Sequence, residues 1–168
     1  MTRRLTLLRH AKSSWDDANL SDHERPLNAR GREALKPLRR QIEDRGSLPD
    51  LVLCSSAVRT VETLDGFRSA LPATATVEVD EDLYGADVDD LLARVRAAPD
   101  TAGHVMLVGH NPGIEDLAML LTGDGERAAR AAMTSKFPTA AMAVLRFDGS
   151  WRDLQPGAAY LEEFWTPR

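Results

Sequence analysis

The feature that most constrains this chain is an alternation: short apolar runs separated by stretches of helical periodicity. Residues 5–8, 50–54, 76–79, 104–109 and 141–147 read as strands, the last ending in an Asp148-Gly149 turn. Their apolar character is continuous rather than alternating, which predicts strands covered on both faces. Between them, residues 28–44, 57–71, 88–97 and 114–121 carry apolar side chains three and four apart. Asn28 stands where an N-cap belongs. Pro37 inside the first helix predicts a kink, and Pro112 precedes the first turn of the last one. Strand–helix alternation predicts an α/β fold, a three-layer α/β/α sandwich around a mostly parallel central sheet. The chain has 168 residues, so residues 1–168 fit one domain of the usual roughly 100–200 residues.

Composition excludes several function classes. There are 21 Lys+Arg against 26 Asp+Glu, a net charge of −5, which argues against a general binder of nucleic acid or membrane. A small basic pocket remains compatible with it. Aromatic residues make up 5% of the chain, too few for base-stacking platforms. Cys54 is the only cysteine, so no internal disulfide and no cysteine-rich zinc site forms. No apolar run approaches the ~18 residues that span a bilayer. The first ten residues lack the apolar stretch and cleavage site of a signal peptide. A soluble, cytoplasmic protein without metal or cofactor is expected.

In open α/β sheets, ligands bind beyond the carboxyl ends of the strands. Arg9 and His10 follow the first strand. Ser55, Ser56 and then Arg59 follow the second. Glu81, with Asp82 beside it, follows the third, and His110 and Asn111 follow the fourth. Taken singly, each has an ordinary structural reading: a satisfied histidine, a solvated arginine, an acidic turn. Together they suit phosphoryl transfer. The arginine fork binds phosphate oxygens in pairs and stays charged. Helix N-termini near Arg59 and Asn111 add donors and a positive dipole end. Neighbouring positive charge keeps a histidine neutral and nucleophilic, and a second histidine can donate to the oxygens in transit.

Other phosphate chemistries fail on spacing. No Gly-x4-Gly-Lys-Ser/Thr loop is present. Cys54 and Arg59 are separated by four residues, one fewer than a cysteine phosphatase loop uses, so Cys54 reads as a buried small hydrophobe. His104 and His110 lie at opposite ends of one predicted strand, too far apart to share a metal.

Leu7-Leu8-Arg9-His10-Ala11-Lys12-Ser13-Ser14-Trp15 resembles the Arg-His-Gly signature of the histidine phosphatase superfamily, the phosphoglycerate mutase-like fold. Four further stretches match in the expected order: Arg25-Pro26-Leu27-Asn28-Ala29-Arg30-Gly31, Cys54-Ser55-Ser56-Ala57-Val58-Arg59-Thr60, Leu83-Tyr84-Gly85 and Val108-Gly109-His110-Asn111-Pro112. The Arg-His-Ala-Lys-Ser-Ser-Trp variant looks most like the SixA-type phosphohistidine phosphatases. The resemblance implies that His10 is phosphorylated during turnover and that Arg9, Arg59 and His110 complete the phosphate pocket, with Asn111 beside them. It puts Glu81 where the mutase branch has its proton donor, with Asp82 or water as alternatives. Lys12 and Arg25 are expected at the entrance. Ala11 replaces the family's glycine, which implies an ordinary backbone conformation there. The short inter-strand segments leave little material for a lid. The expected substrate is protein phosphohistidine, for instance on a phosphotransfer domain. A small phosphoester is the alternative, and a non-catalytic phospho-ligand-binding module a further one.

Overall fold

Continuous apolar strands need cover on both sides, and the chain's helices supply it. The computed structural model describes residues 1–167. At its centre lies a seven-stranded sheet in the order β3-β2-β4-β1-β6-β7-β5. The strands are β1 (Thr2–Arg9), β2 (Leu51–Ser55), β3 (Thr76–Asp80), β4 (His104–Gly109), β5 (Thr122–Gly125), β6 (Met142–Asp148) and β7 (Ala159–Trp165). Strands β1 to β4 pair in parallel, and β5 pairs in parallel with β7. Only β6 runs the other way, antiparallel to both β1 and β7. Among the described residues no helix is long and apolar enough to cross a membrane.

The two sheet faces carry separate cores. On one, Leu5, Leu7, Leu53, Val105, Leu107 and Leu145 pack under α3 (Val88–Arg96), α4 (Gly113–Leu121) and α5 (Arg127–Ser135). On the other, Leu8, Val52, Cys54, Met106, Val108 and Val144 pack under α1 (Ala29–Asp44) and α2 (Val58–Phe67). Each fully buried leucine or valine there contributes about 1.5–3 kcal/mol relative to exposure. The result is the expected three-layer sandwich. Asn28 caps α1, its side chain accepting from the Gly31 amide at 2.8 Å. The helix runs on without a break through Pro37. α2 stops at Phe67 and tightens into a 3₁₀ turn, Arg68–Ala70.

Three elements go beyond the sequence expectation. β5 reads Thr-Gly-Asp-Gly and has no apolar run. β7 carries Glu162 and Glu163 mid-strand, which pair with Arg4 at 2.9 Å and Arg45 at 2.8 Å. Ion pairs thus stabilise acidic residues that break the strand pattern. α5 buries only Ala129 and Met133, too little to show helical periodicity in the sequence.

Candidate active site

Parallel pairing decides where the chemistry collects. β1 and β4 lie side by side, with Arg9 opposite Gly109, so the chain leaves both strands at one edge. His10 and His110 therefore emerge together, their ring centroids 5.3 Å apart and their planes tilted by 56°. β2 ends beside β4 and delivers Ser55, and the first turn of α2 delivers Arg59. His10, His110 and Arg59 share a cavity of about 480 Å³, whose wall also includes Arg9, Arg25, Lys12 and Asn111, while Ser55 lies behind His110.

Local contacts fix the strand-end loop. The Asn28 amide donates to the Lys12 carbonyl at 3.0 Å, and the Ser14 amide to the Pro26 carbonyl at 2.8 Å. Gly31 makes this approach feasible, since a Cβ there would lie 2.1 Å from the Lys12 oxygen. The Ala140 amide donates to the carbonyls of both Arg9 and His10, at 3.1 and 2.9 Å. Ala140 holds φ at 61° to do so, and it is the one non-glycine with positive φ among the described residues. That conformation costs roughly 1–2 kcal/mol, strain stored against the site. Ala11 keeps an ordinary backbone, as expected.

His10 is 7% exposed. Its Nδ1–H donates to the Ala11 carbonyl at 2.6 Å, which assigns the lone pair to Nε2. Burial comes first in lowering its pKa, to about 4. The cations of Arg59, Arg9 and Arg25 reinforce it, and together they outweigh the Ala11 hydrogen bond. The ring is neutral at pH 7. His110 is held lower still, at about 3, by burial first and then by His10 and Arg59. Its Nε2 lies 2.8 Å from Ser55 Oγ. Ser55 Oγ accepts from the Ala57 amide at 3.4 Å, and among the described residues His110 Nε2 is the one acceptor within reach of its own proton, so we assign the Ser55 hydroxyl as donor to Nε2 and the His110 proton to Nδ1.

The arginines are only partly satisfied. Arg9 Nη1 donates to the Phe137 carbonyl at 3.0 Å. Arg25 Nη2 donates to Ser13 Oγ at 2.6 Å, and its guanidinium lies 3.3 Å from the Trp15 ring centroid. Arg59 donates to the Asp22 carbonyl at 2.7 Å and to Asp22 Oδ2 at 3.0 Å. Buried and without a hydrogen-bond partner are Nε of Arg9, Nε and Nη1 of Arg25, Nε of Arg59 and Nδ1 of His110, although Arg25 Nε lies 3.6 Å from Asp22 Oδ1. Lone Nε atoms also occur at Arg3, Arg39 and Arg45. The distinctive signal is therefore the concentration around one cavity and the inclusion of Arg25 Nη1 and His110 Nδ1. Each buried unpaired donor costs about 1–3 kcal/mol, and one anion would satisfy several of them.

Asp22 and His23 join the site though no sequence pattern marks them as functional, and so does Tyr84, which the sequence marks only as part of the Leu83-Tyr84-Gly85 stretch. The Tyr84 hydroxyl donates to Asp22 Oδ2 at 2.5 Å. That bond, with Arg59 behind it, holds the Asp22 carboxyl below its usual range, so it serves as a charge partner and not as an acid. Tyr84 sets its ring edge-on to His110 and to His23, with centroids 5.6 and 4.8 Å apart. The available signal was Ser21-x-x-Glu24, a capping pattern. Glu24 Oε1 accepts from the Ser21 amide at 3.0 Å, shaping the 3₁₀ turn that presents Asp22.

Not every expected residue is brought in. Glu81 stands exposed on the 3₁₀ turn Glu81–Leu83 and does not line the cavity. β3 is the edge strand, two places from β4, and the turn buries Leu83 while turning its acids outward. Asp82 lies against a different hollow, with Arg94. Asn111 is on the wall, but its amide donates to Glu115 Oε1 and the Phe137 carbonyl and accepts from the Glu115 amide, at 3.1–3.2 Å. It caps α4. Cys54 is fully buried in the α1/α2 core, and burial pushes its thiol up to about 12, so it supplies no thiolate. Among the described residues no three His, Cys, Asp or Glu side chains converge as a metal site requires.

The chain is similar to known proteins in sequence and in fold. Residues 5–98 match the family model of the histidine phosphatase superfamily, branch 1. An uncharacterized Mycobacterium tuberculosis protein is 38% identical over 165 residues, covering 96% of this chain and 100% of that one. Among solved structures, a SixA protein from Nakamurella multipartitia, assigned as a candidate phosphohistidine phosphatase, superposes with a TM-score of 0.86. The identity is 31%, covering 99% of this chain and 97% of that one. A SixA protein from Agrobacterium tumefaciens with the same assignment gives 0.83 at 31% identity, covering 98% of each chain.

Proposed function

Since the chain belongs to the histidine phosphatase superfamily, we propose that it hydrolyses phosphohistidine on a protein, with His10 taking the phosphoryl group. The observation that carries this reading is His10 itself. Its Nδ1 is committed to the Ala11 carbonyl, its Nε2 is unprotonated, and unpartnered guanidinium and imidazole donors surround it.

In the proposed reaction, His10 Nε2 attacks phosphorus and the bond to the substrate's ring nitrogen breaks. Arg9, Arg25 and Arg59 hold the equatorial oxygens, and His110 Nδ1–H donates to one of them as charge develops. Arg59 exchanges its bonds to Asp22 for bonds to phosphate. Water then attacks the phosphorus on His10, inorganic phosphate leaves, and Nε2 is free again. No step needs a metal. The departing imidazole is itself basic and takes a proton from water, so no fixed acid is required. An alkyl phosphate, with a poorer leaving group, depends on such an acid, and Glu81 stands outside the cavity. That observation favours phosphohistidine over a small phosphoester. A pure binding module needs no unprotonated His10 Nε2. A lone buried thiol suits the reducing cytoplasm.

The test is a substrate panel: histidine-phosphorylated protein, nitrophenyl phosphate, and sugar and glyceryl phosphates. The proposal expects kcat/KM to be highest for the phosphoprotein. Preference for a sugar or glyceryl phosphate would replace it with the phosphomonoesterase reading, and binding without turnover with the binding module.

A further inference from the structure

Next to the catalytic cavity lies a second hollow of about 570 Å³ that shares Lys12 and Thr139 with it. Its cations are Lys12 from the loop after β1, Arg30 from the first turn of α1 and Lys136 at the close of α5. All three are exposed, and among the described residues none of them forms an ion pair. Among the described residues, Glu33 is the one carboxylate on the wall. In a chain with net charge −5, three cations against one acid run counter to the overall balance. Trp15, on the cavity wall, is 76% exposed while its ring stacks on Arg25. An exposed aromatic over an arginine is the composition of an interface anchor.

Resting on the phosphohistidine reading above, we propose that Lys12, Arg30 and Lys136 form a docking shelf for the phosphorylated protein and that they recognise acidic side chains around its modified histidine. The charge of the phosphoryl group is already met by half-buried Arg9 and by buried Arg25 and Arg59. Arg30 and Lys136 lie outside that pocket and Lys12 lies where the two hollows meet, so the three complement charge beyond the phosphoryl group. A second fixed phosphate of a small substrate would call for buried, forked arginines like those in the cavity. The shelf instead offers two mobile lysine point charges and one exposed arginine from separate segments, which suits the diffuse acidic surface of a protein. Rim charges of this kind act on association rate and salt dependence.

The experiment uses the full chain with Arg30→Glu and Lys136→Glu combined, leaving Lys12 and the catalytic residues intact. Four substrates are compared: a phosphotransfer domain with acidic residues around its phosphohistidine, the same domain with those residues neutralised, nitrophenyl phosphate and a small bisphosphate. For the acidic domain, kcat/KM is expected to fall by about 10-fold at low salt through KM, as loss of steering implies. The deficit should close toward 1 M salt, where the screening length is about 3 Å. The neutralised domain and nitrophenyl phosphate should be unaffected. Unchanged kinetics on the acidic domain, or an equal loss on nitrophenyl phosphate, would overturn the shelf. So would a selective loss on a small bisphosphate. If the native enzyme turns over nitrophenyl phosphate but neither domain, the phosphohistidine reading itself has failed and the shelf with it.

Discussion

Ser55→Ala removes one hydroxyl and tests how His110 is aimed. Ser55 is fully buried, and its Oγ lies 2.8 Å from His110 Nε2. Alanine leaves that ring nitrogen without a partner, a penalty of about 1–3 kcal/mol for a buried acceptor. The ring then escapes the penalty by rotating or by moving its proton to Nε2, and either change turns a lone pair toward the phosphoryl oxygens. Full loss of one transition-state donor costs about 10²–10³ in rate. His110 remains present here, so kcat/KM should fall by roughly 10–100-fold, equivalent to about 1.4–2.8 kcal/mol. The assay is steady-state hydrolysis in a double-mutant cycle with His110→Ala. Ser55→Ala should cost almost nothing further once His110 is gone, because the two act as one unit. Activity within two-fold of native, or an equal loss in the His110→Ala background, would refute the reasoning.

Arg59→Lys keeps the charge but loses the fork that now grips Asp22 through two nitrogens, so activity should drop by about 10²-fold or more; a near-native rate would remove Arg59 from the pocket. Glu81→Gln should change hydrolysis of nitrophenyl and alkyl phosphates by less than about two-fold, whereas removing a positioned acid costs ~10²–10⁴-fold; a selective loss on the alkyl phosphate would restore Glu81 as proton donor. Acid should destabilise the fold through its buried histidines. His10 and His104 sit near pKa 4 and His110 near 3, all lowered from 6.5, so below pH 6.5 the unfolded chain binds protons that the folded one resists. The stability they confer is complete above pH 6.5 and is lost as pH falls through 4, with His104 alone accounting for on the order of 3 kcal/mol. Urea melts between pH 7 and 4 read this directly, and a flat profile contradicts it.

The legible part of this fold is the part that is buried twice over. β1, β2 and β4 show as apolar runs because both faces are covered, and the residues just past them were identifiable because parallel strands end at one edge. β7 stayed hidden because Glu162 and Glu163 are stabilised by arginines distant in sequence, and such pairing leaves no periodic trace. The same holds within the site. Asp22 and Tyr84 meet across 62 positions of chain, a contact no local pattern encodes. Glu81 was misplaced for a related reason. It does follow a strand, as the sequence implies, but the strand order that puts β3 at the sheet edge is a tertiary fact.

Everything in the proposed chemistry passes through His10 Nε2. The most direct measurement is to incubate the enzyme with a labelled phosphodonor, quench in alkali within one turnover, and map the modified residue by peptide analysis. The account predicts label on His10 that is stable to alkali and released by acid, and neither label nor turnover in His10→Ala. Label on Ser55, or native-like turnover by the His10→Ala enzyme, would contradict it.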